Sequence, residues 1–240
     1  MDRGWEDRAD EWLAWARTPG HDAYWHYRDI FFEELVPRPW GRTLEIGCGE
    51  GRVSRDLAER GYHVTAVDSS PTLVTYARAL DSRAEYVVAD AAALPFPDAT
   101  FACVVAYNSL MDVADMPKAV AEASRVLIPE GRLCICVTHP FADAGRFDSN
   151  DPDAAFIVRD SYLEVRQLNE RFERDGLAMT FRGWCYPLEA YTQAFESAGL
   201  VIERLREPAA PPGKVARRPD AVRWQRMPMF LFVRCRKAAA

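Results

Sequence analysis

At the N-terminus, apolar residues recur at helical spacing. Trp5, Ala9, Trp12, Leu13 and Ala16 follow an i, i+4, i+7, i+8, i+11 pattern, which predicts an amphipathic helix over 5–16. The breaker "TPG" at 18–20 ends it. A second stripe, Tyr24, Tyr27, Phe31 and Leu35, predicts a helix over about 22–35, and "PRPWG" at 37–41 punctuates the chain again.

From Arg42 the texture changes to short apolar runs alternating with amphipathic stretches. Strands are predicted at 43–46, 63–67, 85–88, 101–106 and 132–137. Helices are predicted at 52–60, 71–80 and 116–127, with Val53 and Leu57 facing inward in the first and "PEG" at 129–131 turning into the fifth strand. This alternation implies right-handed crossovers and an α/β fold with a parallel sheet covered on both faces. Residues 140–186 interrupt the rhythm. Pro140–Asp153 reads as loop, and 162–172 and 178–182 flank "ERDG" as an antiparallel hairpin. A helix at 187–198, with Leu188, Tyr191, Phe195 and Ala198 on one face, resumes the pattern, and strands at 201–205 and 229–233 close the sheet. The chain divides into an N-terminal helical lid (1–41) and a sheet domain (42–240) that carries an inserted cap (140–186).

Composition narrows the function classes. The chain has 240 residues, 49% hydrophobic and 28% charged, enough to bury a substantial core. Its apolar runs are of strand length, and the acidic start "MDRGWEDRADEW" lacks the basic, then apolar, pattern of a signal peptide, so a cytoplasmic location without membrane association is expected. A net charge of −6 weighs against nucleic acid as the main partner. The densest basic segment, Lys214–Arg226, is expected to be a solvated loop, with an anion-binding or acceptor-binding loop as the alternative. Six cysteines without a CxxC pair read as small buried hydrophobes, with neither disulfide nor metal expected, and Cys134 and Cys136 should share one face of their strand.

Three alternate glycines in "TLEIGCGEG" (43–51) follow the first strand. Clustered glycine has two explanations, a tight strand-to-helix turn or a loop that a ligand approaches closely. A nicotinamide-dinucleotide fingerprint would need its third glycine at position 52, where Arg stands, and Glu45 would repel a pyrophosphate. The second strand ends in Asp68, placed to accept hydrogen bonds from ribose hydroxyls, and the third in Asp90, placed to meet an exocyclic amine. A nucleoside joined to a cationic group fits this pattern better than one joined to a phosphate.

The pattern resembles the class I S-adenosylmethionine-dependent methyltransferases, in the group of ubiquinone/menaquinone-biosynthesis C- and O-methyltransferases. The likeness is strong over residues 40–139 and weaker in "YPLEAYTQAFESAGLVIERLREP" and "MPMFLFVRCRK". It implies a Rossmann-like, doubly wound seven-stranded sheet of order 3-2-1-4-5-7-6 with the last strand antiparallel, and S-adenosylmethionine as cofactor. It also implies that Gly47, Gly49 and Gly51 form the cofactor loop, that Glu45 lies at the methionine amine, and that Asp68 meets the ribose. Asp90 and Ala91 fall at the adenine, Ser69 and Ser70 beside the ribose and adenine, and Asn108 at the sulfonium end. Trp15, Tyr24, Trp25 and Tyr27 lie in segments that fold over the cofactor in this family, and Tyr24 is expected to touch it.

The expected activity is methyl transfer to a small-molecule oxygen, sulfur or carbon nucleophile by in-line displacement. His139, after the fifth strand in "VTHPF", is the candidate general base, with a hydrogen-bonded turn histidine as the alternative. Phe141, Trp184 and Tyr186 are candidate acceptor contacts, and so is His21. A nucleic-acid or protein methyltransferase is less favoured, because "AYNSLMD" stands where an N/D-P-P-Y/F tetrad would follow the fourth strand. A non-catalytic module that binds S-adenosylmethionine remains a third reading. The sequence leaves the acceptor and the oligomeric state open.

Overall fold

The second N-terminal stripe decides what this region does. In a computed structural model that describes residues 4–81 and 83–239, helices form at Ala9–Arg17 (α1), after a 3-10 turn at Glu6–Arg8, and at Tyr24–Glu34 (α2). Residues 1–3 of the expected lid lie outside the described residues. Tyr24, Tyr27, Phe31 and Leu35 are all completely buried against the sheet. In α1 the buried residues are Ala9, Trp15 and Ala16, while Trp12 and Leu13 stay half-buried. This helix packs on the inserted segment, with Trp15 edge-on to Phe181 at 5.9 Å.

The sheet domain follows the predicted alternation closely. In chain order it runs β1 (Arg42–Ile46), α3 (Arg52–Glu59), β2 (His63–Asp68), α4 (Pro71–Leu80), β3 (Glu85–Val88), β4 (Phe101–Tyr107), α5 (Met116–Val126) and β5 (Leu127–Thr138). After β5 come two short strands, β6 (Gly145–Phe147) and β7 (Phe156–Val158), then a longer pair, β8 (Arg166–Arg174) and β9 (Leu177–Cys185). The chain then returns through α6 (Leu188–Ser197), β10 (Leu200–Arg206), α7 (Pro212–Arg217) and β11 (Phe230–Lys237).

The seven-stranded sheet has the order β3-β2-β1-β4-β5-β11-β10, and β11 is antiparallel to both of its neighbours. Alternate strand residues serve opposite faces. Leu44, Val104, Leu133 and Ile135 pack under α5 and α6, whereas Val64, Cys103, Val105, Cys134 and Cys136 pack under α2, α3 and α4. All six cysteines are buried and unbridged. Strand order reverses between β1 and β4, so their carboxyl ends diverge into a crevice, the position in such sheets where ligands bind.

Three local expectations need correction. The "PEG" stretch is no separate turn: β5 begins at Leu127, drawn into the sheet by pairing with Phe101, and the register then jumps to Cys103↔Arg132 so that 128–131 bulge out. The expected loop after Pro140 contains a 3-10 turn at Ala142–Ala144 and a strand, β6, paired antiparallel with β7. The basic segment is not a solvated loop, since Lys214 and Arg223 are buried. Lys214 Nζ sits over the Tyr27 ring at 4.8 Å, and Arg223 lies 4.9 Å over Phe147 while donating to the carbonyls of Asp220 and Ser149. The β8–β9 hairpin is as expected, with its turn at Asp175–Gly176. No helix among the described residues is long and apolar enough to cross a membrane.

Candidate cofactor and acceptor site

Backbone geometry after β1 requires glycine. Gly47, Gly49 and Gly51 all have positive φ, at 71°, 53° and 86°. The amides of Gly47 and Cys48 both donate to the Val67 carbonyl, at 2.8 and 2.9 Å, which ties the loop to β2. A Cβ on Gly47 would lie 2.3 Å from that of Ser109, and one on Gly51 would lie 2.9 Å from Ala77 Cβ and Tyr86 Oη. Protein packing therefore explains Gly51, which stands behind the wall against α4 and not, as expected, at the ligand. Gly47 and Gly49 do line the cavity that opens here.

That cavity has a volume of about 1180 Å³ and follows the carboxyl ends of the strands. Its inner half gathers Glu45, Gly47, Gly49, Asp68, Ser69, Asp90, Ala91 and Asn108, residues that the family resemblance assigns to the cofactor. Asp68 accepts hydrogen bonds from Gly49 N at 2.8 Å and Ser70 N at 2.9 Å, and burial pushes its carboxyl above the ordinary range. Asp90 is exposed and braced by the amide of Ala92 at 2.9 Å. Asn108 takes a positive φ of 49°, held by its amide on Cys136 O. Glu45 is 1% exposed, accepts a hydrogen bond from Ser54 Oγ, and is pushed by burial up to about 8. Ser70 leaves the ligand face, because its hydroxyl accepts from Leu73 N to cap α4 and donates to Glu6.

Arg52 was legible in the sequence only as the residue that rules out a dinucleotide loop. It lines the cavity, pairs with Asp22 at 3.2 Å and stacks between Trp12 and Tyr24, at 4.9 and 4.7 Å. Burial opposes its charge, but the Asp22 and Glu50 carboxylates outweigh that and hold its pKa up. Its Nη1 is buried and has no partner among the described residues. These groups suit an adenosyl amino acid: Asp68 retains lone pairs for hydroxyls, Glu45 suits an ammonium, and the orphaned Arg52 nitrogen suits a carboxylate.

The N-terminal segment roofs the inner half. Trp5, Trp12, Trp15 and His21 line the cavity, and a Cβ on Gly49 would meet Trp12 Nε1 at 3.1 Å. His21 joins this roof to the β8–β9 hairpin. Its Nε2 lies 3.2 Å from Arg174 O, and Arg174 Nη1 donates to the carbonyls of Gly20 and His21 at 3.2 and 3.1 Å. Tyr24 departs from expectation: it is fully buried behind the wall, its hydroxyl turned to Asp56 on α3 and its ring edge-on to Tyr107.

The outer half is lined by Phe147, Phe181, Trp184, Trp224 and Phe230, interleaved with Asp143, Arg146, Arg159 and Glu170. Trp184 is where the sequence predicts it. Phe141 is exposed outside the cavity, packed on Phe156 at 5.7 Å, and Tyr186 spends its hydroxyl on the carbonyls of Val113 and Ala114, both at 3.0 Å.

His139 is not on the cavity wall either. Its Nδ1 accepts from Phe141 N at 3.1 Å, which leaves the proton on Nε2 for Glu207 Oε1 at 2.9 Å. Both nitrogens are committed, so the hydrogen-bonded turn histidine is the reading the structure supports. Among the described residues no group of His, Cys, Asp and Glu is arranged to hold a metal ion.

A family model described as a methyltransferase domain matches residues 44–135. A demethylmenaquinone methyltransferase of Clavibacter sepedonicus is 38% identical over 120 residues, 49% of this chain and 48% of that protein. A ubiquinone/menaquinone biosynthesis C-methyltransferase of Dinoroseobacter shibae is 33% identical over 164 residues, 61% of this chain and 66% of that protein. With several of the curated relatives it matches, the aligned region spans about half of the relative's length. In fold, the chain resembles the crystal structure of an S-adenosylmethionine-dependent methyltransferase from Mesorhizobium loti, with a TM-score of 0.69 at 24% identity over 90% of this chain and 98% of that one. Together with the sheet order, the glycine loop and the paired strand-end acids, these likenesses identify a class I S-adenosylmethionine-dependent methyltransferase whose cofactor is S-adenosylmethionine, similar over the matched region to the ubiquinone/menaquinone-biosynthesis methyltransferases.

Proposed function

We propose that this chain transfers a methyl group from S-adenosylmethionine to a small-molecule acceptor held in the outer half of the same cavity. The observation that carries the reading is continuity: one enclosure runs from Asp68 and Asp90, past Asn108, to the aromatic wall of Phe147, Trp184 and Trp224. When bound, the cofactor supplies an electrophilic methyl group on a sulfonium. Asp68 and Asp90 fix the nucleoside end, and Glu45 and Arg52 hold the amino-acid end. The aromatic faces suit a flat or lipophilic acceptor body.

Most of the rate gain comes from alignment, because holding acceptor and donor in a near-attack arrangement removes much of the entropic barrier. The N-terminal helices act as a lid, with Trp5, Trp12 and Trp15 excluding water, and the segment between β5 and α6 acts as a cap over the acceptor. Five tryptophans line the cavity, at 5, 12, 15, 184 and 224, so intrinsic fluorescence reports on both halves. S-adenosylhomocysteine should quench it at saturation, NAD should not, and an aromatic probe should produce a second change without displacing the adenosyl compound. Mutually exclusive binding of the two ligands would contradict a shared cavity with separate halves.

A further inference from the structure

We propose that Asp143 is the catalytic base that takes the acceptor's proton, and that the acceptor therefore reacts through a hydroxyl group. This rests on the methyl-transfer reading above. Asp143 lies in the 3-10 turn directly beyond β5, on the outer half of the cavity. His139 builds that turn: its carbonyl accepts from the amides of Ala142 and Asp143, at 2.7 and 3.2 Å, while its ring holds the amide of Phe141. The histidine thus positions the carboxylate without reaching the cavity itself.

The Asp143 carboxylate stands apart from the acids of the cavity that have partners, and it is less exposed than Glu170, whose carboxylate is open to solvent. Asp68 and Asp90 accept backbone amides, Glu45 accepts a serine hydroxyl, and Glu50 and Asp160 pair with Arg55 and Arg166, at 2.6 and 3.4 Å. Among the described residues neither oxygen of Asp143 accepts a hydrogen bond, although Arg166 donates to its backbone carbonyl. It is a positioned acceptor with its lone pairs uncommitted.

The groups around it come from four elements. Arg166 and Glu170 face it from β8, Cys185 from β9, Tyr191 from α6, and Asp112 from the turn after β4. Burial pushes the Asp143 carboxyl up to about 7, with Glu170 adding to the effect and Arg166 opposing it. Burial also raises Cys185, Tyr191 and Asp112, and the Cys185 thiol and Tyr191 phenol keep their protons around neutrality. A base whose proton affinity lies near the working pH is matched to general-base work.

An acceptor thiol ionises largely unaided near its ordinary pKa of about 8.5, and a neutral amine already presents its lone pair. Among oxygen, sulfur and nitrogen nucleophiles, a hydroxyl, which keeps its proton at neutrality, gains most from a base. In the proposed step the acceptor O–H bond breaks and its proton bonds to an Asp143 oxygen. The freed oxygen pair forms the O–CH₃ bond, and the carbon–sulfur pair stays with sulfur.

The test compares wild type with D143N and D143E on phenols, from phenol to 2-naphthol, and on the sulfur analogues of the same rings. S-adenosylhomocysteine affinity is measured alongside by calorimetry. Wild type should methylate phenols at a rate that rises as pH increases through about 7. D143N should lower that rate by about 10²- to 10⁴-fold and lack the rising limb, D143E should restore part of both, and transfer to the thiols should change little. Equal transfer to phenols by wild type and D143N would overturn the proposal, as would a wild type that binds S-adenosylhomocysteine and methylates thiols but no phenol. Failure of the wild type to bind S-adenosylhomocysteine would overturn the methyl-transfer reading itself, so the two failures are distinguishable.

Discussion

The backbone amide of Gly49 donates a 2.8 Å hydrogen bond to Oδ2 of Asp68, so the glycine loop after β1 and the acid that ends β2 form one unit. The same carboxylate holds Ser70 N, at the start of α4, through its other oxygen. Asp68 therefore shapes the site before any ligand is bound, and its removal should affect both the loop and the ligand.

Asp68→Ala should weaken S-adenosylhomocysteine binding by about 1.5–3 kcal/mol, the range for hydrogen bonds to a charged group. It should also lower the melting temperature, because two backbone amides lose their acceptor. Gly49→Val should abolish binding, since a branched side chain at φ 53° would be strained and would press on Trp12. Calorimetry and thermal melts check both variants, and wild-type affinity in either would remove these residues from the cofactor site.

Glu45 gives a pH signature. Burial holds its carboxyl at about 8 in the free protein, against about 4.3 in an unfolded chain, so the folded state keeps a proton that the unfolded state has released. As pH rises between those two values, the free protein should lose stability, and Glu45→Gln should flatten that slope. An ammonium bound beside Glu45 favours its charged form, so ligand binding near neutrality should release a proton. Calorimetry in buffers of different ionisation enthalpy measures this, and proton uptake would contradict the assignment.

Much of this architecture was legible because it rests on local rules. The stripe Tyr24, Tyr27, Phe31 and Leu35 predicts a buried helix face, and all four are fully buried. Asp68 and Asp90 were placed by strand ends alone, and both line the cavity. What the sequence hid depends on directions fixed by tertiary contacts. Pro140 follows His139 in the sequence, but only the fold reveals that the imidazole turns back onto Phe141 N and Glu207. Tyr24 lies in the segment expected over the cofactor, yet its hydroxyl is drawn to Asp56 on α3. Lys214 and Arg223 looked like solvated charges because their partners, the Tyr27 and Phe147 rings and the Ser149 carbonyl, lie far away in sequence.

The burial of Tyr24 and Tyr27 also sets where the N-terminal helices can be cut. Deleting residues 1–17 removes α1 and its roof over the cavity but leaves α2 in the core, so turnover should fall much more than thermal stability. Deleting residues 1–28 removes both buried tyrosines and should destabilise the sheet domain itself. Melting curves and activity of the two truncations separate lid from core. Equal loss of stability in both would contradict the division.

Arg174→Ala removes the two hydrogen bonds from the hairpin to Gly20 O and His21 O, each contributing about 0.5–1.5 kcal/mol. The roof should then open more readily. KM for S-adenosylmethionine should rise, with a fall of about a few degrees in the melting temperature. Steady-state kinetics with thermal melts test this, and an unchanged KM would show that the clasp does not govern closure.

Methyl transfer to a small molecule is tested most directly with cofactor carrying an isotope-labelled methyl group. The protein is incubated with this cofactor and a size-fractionated extract of its source cells, and the products are read by mass spectrometry. A labelled product should appear in the low-mass fraction with wild type and fall sharply with Asp68→Ala. Label confined to the macromolecular fractions, or no labelled product at all while the cofactor binds, would contradict the account.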